Sequence, residues 1–220
     1  MEVVIGKEFM KRLNSISDEF FSMDYKKNKY VSTRNDDSYT RGEEYCSDLA
    51  LKEKLHNWED HEGFPEEYFA QPISLMVKKD PEIWTPFRDK VKFDFANEIG
   101  AHSSALLSYY PKGGHVGWHT NWNANAYQVL FTYSKHGDGY FRWYDKTTDT
   151  IHTITDVVGW QCRHYYFGRK EEEFQHCWHS AYAGCDRLTL AYKFSNKSIY
   201  DDQNEKAIEM RDLCIEEVMQ

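Results

Sequence analysis

The chain has no polybasic run, no Cys-x-x-Cys pair, no apolar stretch of membrane-spanning length, no internal repeat and no low-complexity tract. Each absence excludes something. Acidic residues outnumber basic ones, 36 to 27, for a net charge of −9. A nucleic-acid partner is therefore disfavoured, because neutralising phosphates needs a positive surface, although a local cleft can differ in sign from the whole. The five cysteines, at 46, 162, 177, 185 and 214, are odd in number and fit a reducing compartment. The N-terminus shows no signal-peptide core, so a soluble, cytoplasmic protein with no membrane partner is expected. What the chain has in quantity is aromatic residues: 7 Trp, 16 Tyr and 13 Phe. Most must be core, and some are expected to line a pocket.

A length of 220 residues suits one domain with a full core. Three parts are expected: a helical and loop flank over 1–100, a β core over 101–196, and an acidic helix over 197–220. In the flank, Phe9, Leu13, Ile16, Phe20 and Phe21 recur near helical spacing and predict a helix over 6–22. Residues 24–48 are polar and read as a loop or lid. A short helix is expected over 49–57. Another is expected over 82–97, burying Trp84, Phe87, Val91, Phe93 and Phe95. From residue 101 the pattern alternates, with turn signals at His136-Gly137-Asp138-Gly139, Lys146 to Asp149 and Ala183 to Asp186. Eight strands follow: 103–110, 115–120, 127–134, 139–144, 150–154, 162–167, 175–182 and 187–195. Eight short strands suggest a sandwich or small barrel with flanking helices, mainly β within an α+β frame.

Two segments carry chemistry. Tyr109 to Asn121 reads as a strand, a Gly-rich turn and a second strand presenting His119 and Asn121. Residues at i and i+2 of a strand share a face, so these two can reach one point. Trp178 to Thr189 reads as a hairpin with His179, Arg187 and Thr189. His176 is the alternative to His179, and the two point to opposite faces of a strand. An even-length tight turn at 183–186 would put His176 on the face of Arg187. An odd or bulged loop would put His179 there. The His-Ser-Ala form and the closeness to Arg187 favour His179. Two imidazoles and one oxygen ligand on one face, with open positions opposite, is the arrangement of a non-haem Fe(II) site. The third ligand is usually a carboxylate; here it is an amide. Arg187 with Thr189 suits a carboxylate clamp. Trp118, Trp122 and Trp143 are pocket or core residues. His102 and His115 read as ordinary buried or surface histidines.

These residues resemble the prolyl-hydroxylase-like branch of the Fe(II)/2-oxoglutarate dioxygenases. The likeness rests on the turn Tyr110 to Gly113, His119-Thr120-Asn121 where the family has His-x-Asp, the run Gly137 to Arg142, and His179 followed by Arg187. It covers about residues 103–195. It implies a double-stranded β-helix, a jelly-roll or cupin-like fold. It implies Fe(II) on His119, His179 and the Asn121 position, with 2-oxoglutarate as co-substrate and O2 as oxidant. His119, Asn121, His179 and Arg187 would form the catalytic set. Arg187 and Thr189 would hold the distal carboxylate, with Tyr133 and Tyr110 as co-substrate-binding tyrosines. The implied activity is hydroxylation of a C–H bond in a protein side chain, an amino acid or another small molecule. Asn121 departs from the pattern. It binds iron through its oxygen, or leaves the position to water or an anion (as in halogenases), or marks lost catalysis. The rival readings are a zinc site, from His115-x-x-x-His119 and His176-x-x-His179, and a jelly roll that binds a ligand without catalysis. On a regular strand His115 and His119 would share a face.

Overall fold

The structure, a computed structural model, describes residues 1–25, 31–32, 40–58, 62–121, 126–168, 177–194 and 204–220. Of the polar segment 24–48 expected as a lid, 26–30 and 33–39 lie outside them, as do Trp122 and His176; its described end, Gly42–Tyr45, is helical. In chain order the elements are β1 (Glu2–Val3), α1 (Lys7–Ser22), β2 (Val31–Ser32), α2 (Gly42–Tyr45), α3 (Asp48–Trp58), β3 (Tyr68–Pro72), α4 (Ile73–Lys79) and α5 (Pro81–Asp89). A π-helical turn (Lys90–Asp94) joins α5 to α6 (Phe95–Glu98). Then come β4 (Ser103–Tyr110), β5 (Gly114–His119), β6 (Ala126–Ser134), β7 (Gly139–Asp145), β8 (Thr150–Thr155), β9 (Gly159–Phe167), β10 (Trp178–Ala183), β11 (Arg187–Phe194) and α7 (Asn204–Met219).

The strands form one curled antiparallel surface in the order β1-β9-β6-β11-β4-β3-β5-β10-β7-β8. Short β3 pairs with β4 at one end and β5 at the other, so it joins two facing walls. One wall is β9-β6-β11-β4 and the other is β5-β10-β7-β8. From β4 on, successive strands alternate between the walls, apart from the β7–β8 hairpin on one wall, which is the double-stranded β-helix with flanking helices. The expected hairpin at 178–189 is thereby corrected. β10 pairs with β5 and β7, whereas β11 pairs with β4 and β6. The turn at 184–186 crosses between walls, so counting its residues does not decide which faces match. The five cysteines are free thiols.

Alternation sorts the first wall cleanly. Its outer face presents Val129 and Phe131 from β6, Leu188, Leu190, Tyr192 and Phe194 from β11, and Trp160 and Cys162 from β9. These pack beneath α1, whose Phe9, Leu13, Ile16 and Phe20 are almost wholly buried and recur at helical spacing. Phe131 lies 5.6 Å from both Phe9 and Phe95, ring to ring. The expected helix at 82–97 contains the π turn, which inserts an extra residue per turn and shifts the buried stripe. Phe93 is consequently exposed, contrary to expectation, while Phe95 is buried. The inner face of the same wall carries the complementary residues. They line the cavity between the two walls.

Candidate functional site

The cavity measures about 260 Å³, and His119, His179, Asn121, Arg187 and Thr189 all line it. A β-bulge makes this possible. On β10, His179 and Ala181 are two apart, but their partners on β5, His119 and Val116, are three apart. The extra residue turns His119 onto the inner face that Val116 occupies. His115 is left on the opposite side, where its ring lies 5.5 Å from Tyr45. The two histidines do not share a face as a regular strand would require, and the first pair of the zinc reading separates.

The end of β5 is held from outside. The Gly117 amide donates to the Glu67 carbonyl at 2.7 Å. The Thr120 amide and hydroxyl both donate to the Glu62 carbonyl, at 2.7 and 2.8 Å. Thr120 is buried, and its two neighbours His119 and Asn121 reach the cavity. Beside this strand Lys54 pairs with Glu62 at 2.9 Å and Glu67 at 3.0 Å.

The rings of His119 and His179 have centroids 4.1 Å apart. His119 Nδ1–H donates to the Gly117 carbonyl at 2.9 Å, and His179 Nδ1–H donates to the Cys177 carbonyl at 2.8 Å. A carbonyl only accepts, so each Nδ1 carries the proton and each neutral ring keeps its lone pair on Nε2. Burial pushes His119 down to about 4, and Lys54 acts in the same direction. Burial, then the neighbouring His119, lowers His179 well below the usual histidine range. Both rings are thus neutral at pH 7, as metal ligation requires. Among the described residues no third His, Cys, Asp or Glu completes a ligand group with them. The pair fits a divalent metal as two of its ligands. Asn121 lines the same cavity as the pair.

At the other end, Arg187 is buried against Asp156, with Nε 3.0 Å from Oδ2 and Nη2–H donating to Oδ1 at 3.4 Å. Gln161 donates to the same carboxylate at 2.7 Å. Asp156 is not among the cavity-lining residues; it backs the arginine from behind. Arg187 also lies 5.8 Å from the centre of the Tyr110 ring. Thr189 Oγ1 is buried and has no hydrogen-bond partner among the described residues.

Tyr133 does not join this set. It faces the helices, with its ring 5.3 Å from Phe21 and 5.5 Å from Trp160. Its neighbour Thr132 takes the inward position. Trp118 packs on the outer side with Leu51 and Trp178. Trp143 stacks on His152 at 4.1 Å beside a second cavity. The sequence reading missed Asp156, Gln161, Arg163 and Tyr165. The last three lie at i, i+2 and i+4 on β9, inward, opposite the apolar Trp160 and Cys162. That alternation was the available signal.

No family model and no curated protein matches this chain. Solved structures resemble it in chain path. A Pseudomonas putida prolyl-4-hydroxylase is 12% identical, with 84% of this chain and 100% of that one covered and a TM-score of 0.32. OsALKBH1 is 13% identical over 51% of this chain and 65% of its own, TM-score 0.30. A recombinant oxalate oxidase in complex with glycolate is 9% identical over 42% and 43%, TM-score 0.29. The chain spans less than two thirds of the latter two. Among the described residues no helix is long and apolar enough to cross a membrane.

Proposed function

We propose that this chain is a non-haem Fe(II)- and 2-oxoglutarate-dependent dioxygenase that hydroxylates a C–H bond. One observation carries the reading. Two neutral imidazoles, each tied through Nδ1–H to a backbone carbonyl, share a cavity with a buried Arg-Thr pair. His119 and His179 would hold the iron, with the Asn121 oxygen as a weaker, uncharged third donor. When bound, iron with 2-oxoglutarate and O2 supplies the oxidising chemistry that converts C–H to C–OH. The chain's own residues do the rest. The two carbonyls fix the imidazole tautomers and ring directions. Arg187 receives the distal carboxylate of 2-oxoglutarate beside the Thr189 hydroxyl. Asp156 keeps the guanidinium in place. Phe141, Phe167 and Ile154 give the cavity apolar walls that keep water from the reacting end.

Anaerobic titration with Fe(II) and 2-oxoglutarate, followed through the visible charge-transfer band of the chelate, tests this. The band should appear, vanish in His119→Ala and weaken in Arg187→Ala. Asn121→Asp should tighten iron binding by more than about tenfold, since a unit charge a few ångströms from a dication is worth several kcal/mol even when screened. No band from folded protein at any ligand concentration sinks the proposal. The amide at 121 favours a second reading, a jelly roll that binds an organic acid without metal. It requires 2-oxoglutarate binding that is indifferent to Fe(II).

A further inference from the structure

The described residues lining the cavity include three cationic side chains, Arg187, Arg163 and Lys193, and no Asp or Glu. This occurs in a chain of net charge −9. A cavity of one sign inside a protein of the other concentrates ligands of opposite charge. The proposed co-substrate uses Arg187. Arg163 and Lys193 are left over.

Strand register separates them from Arg187. Arg163 lies opposite Leu130, which lies opposite Ala191. Ala191 is four residues along β11 from Arg187. The two arginine backbones are therefore roughly 13 Å apart along the strands and roughly 10 Å across them. One row further along, Tyr165 lies opposite Gln128, and Gln128 opposite Lys193. All three line the cavity. The next inward residue of β9, Phe167, has its ring 4.5 Å from His179. Arg163 and Tyr165 thus occupy the wall between the arginine end and the histidine end.

One polar atom of each is unmatched. Arg163 Nε and Tyr165 Oη are buried with no hydrogen-bond partner among the described residues. So is Gln161 Oε1, on a side chain only 8% exposed. Among the described residues the anion paired with Arg163 is the exposed Glu2 on the adjacent strand, 3.8 Å from Nη1. Buried donors left without acceptors each carry a desolvation cost, and an oxyanion accepting from both would remove it.

We propose that Arg163, Tyr165 and Lys193 form a second oxyanion subsite, and that the substrate carries a carboxylate or phosphate group held there. The word substrate rests on the dioxygenase reading; the subsite does not.

Calorimetric titration of the full chain, with and without 2-oxoglutarate, tests it using phenylacetate, phenyl phosphate and neutral 2-phenylethanol. At least one anion should bind more than about tenfold tighter than the alcohol, the margin a charge-assisted hydrogen bond gives. The tighter anion identifies the group. Arg163→Gln should bring the anions down to the level of the alcohol, while Tyr165→Phe, which removes only the hydroxyl, should weaken them less. Arg163→Gln should leave 2-oxoglutarate affinity within about twofold, as expected for separate sites. The subsite is overturned if no anion binds, if the alcohol binds equally, or if Arg163→Gln leaves anion affinity unchanged. It is also overturned if Arg163→Gln abolishes 2-oxoglutarate binding as Arg187→Ala does. Arg163-dependent anion binding in a chain that ignores 2-oxoglutarate would keep the subsite and remove the dioxygenase.

Discussion

At the scale of single residues the Arg187–Asp156 pair decides most. Both side chains are almost wholly buried, 5% and 1% exposed. Removing one partner strands the other. Asp156→Ala should cost about 3–5 kcal/mol of stability, the usual penalty for an uncompensated buried charge. A carboxylate ligand that neutralises Arg187 would recover part of this loss. 2-Oxoglutarate should therefore raise the melting temperature more in Asp156→Ala than in the parent chain. An equal rise in both would mean that the ligand does not reach Arg187. Arg187 itself was legible in the sequence, because an Arg and a Thr alternating with Leu188 and Leu190 need a polar interior. Asp156 was not, since it sits in a turn 31 residues earlier and only the fold brings it behind the guanidinium. Tyr133 misled for a simpler reason. It shares a face with Val129 and Phe131, and that face belongs to the helices.

At the scale of elements, strand existence was readable and strand pairing was not. Alternation and turn residues located all eight core strands within a few residues. They could not reveal which neighbours in sequence lie on opposite walls and which, like β7 and β8, share one, because a three-residue crossing and a hairpin loop have the same composition. The bulge in β5 was equally hidden. Nothing in His-Val-Gly-Trp-His announces the extra residue, yet it decides which histidine enters the cavity. Gly139 shows how closely elements meet near the arginine. A Cβ there would lie 2.6 Å from Asp156 Oδ2 and 2.8 Å from the Tyr182 carbonyl. The carboxylate would have to leave Arg187 or β7 would have to shift from β10. Gly139→Ala should thus cost about 1–3 kcal/mol, as overpacking does, and also weaken 2-oxoglutarate binding. Calorimetry alongside thermal unfolding checks both. A variant with lower stability and unchanged affinity would show that the strand moved and the carboxylate stayed.

At the scale of the whole molecule, charge and burial together set the response to acid. Burial is the first cause of a lowered pKa at four histidines: His115, His119, His164 and His179. For His119 and His164 the values fall to about 4. In the unfolded chain each would titrate near about 6.5. Below that pH the unfolded chain binds protons that the folded chain refuses, so the folded state loses ground as pH falls. The stabilisation is complete above about pH 6.5 and is lost toward about pH 4. Each fully buried imidazole contributes a slope of up to about 1.4 kcal/mol per pH unit. His164, more open to solvent, contributes less because water screens it. Between about pH 6.5 and 5 the carboxylates stay ionised, so the histidines dominate that window. The melting temperature of metal-free protein should fall steadily across it. His115→Gln should make the fall shallower without touching the cavity, since His115 lies outside it. A flat profile from pH 7 to pH 5 would mean that these imidazoles take up protons in place, and the neutral His119–His179 pair that the iron reading needs would go with it.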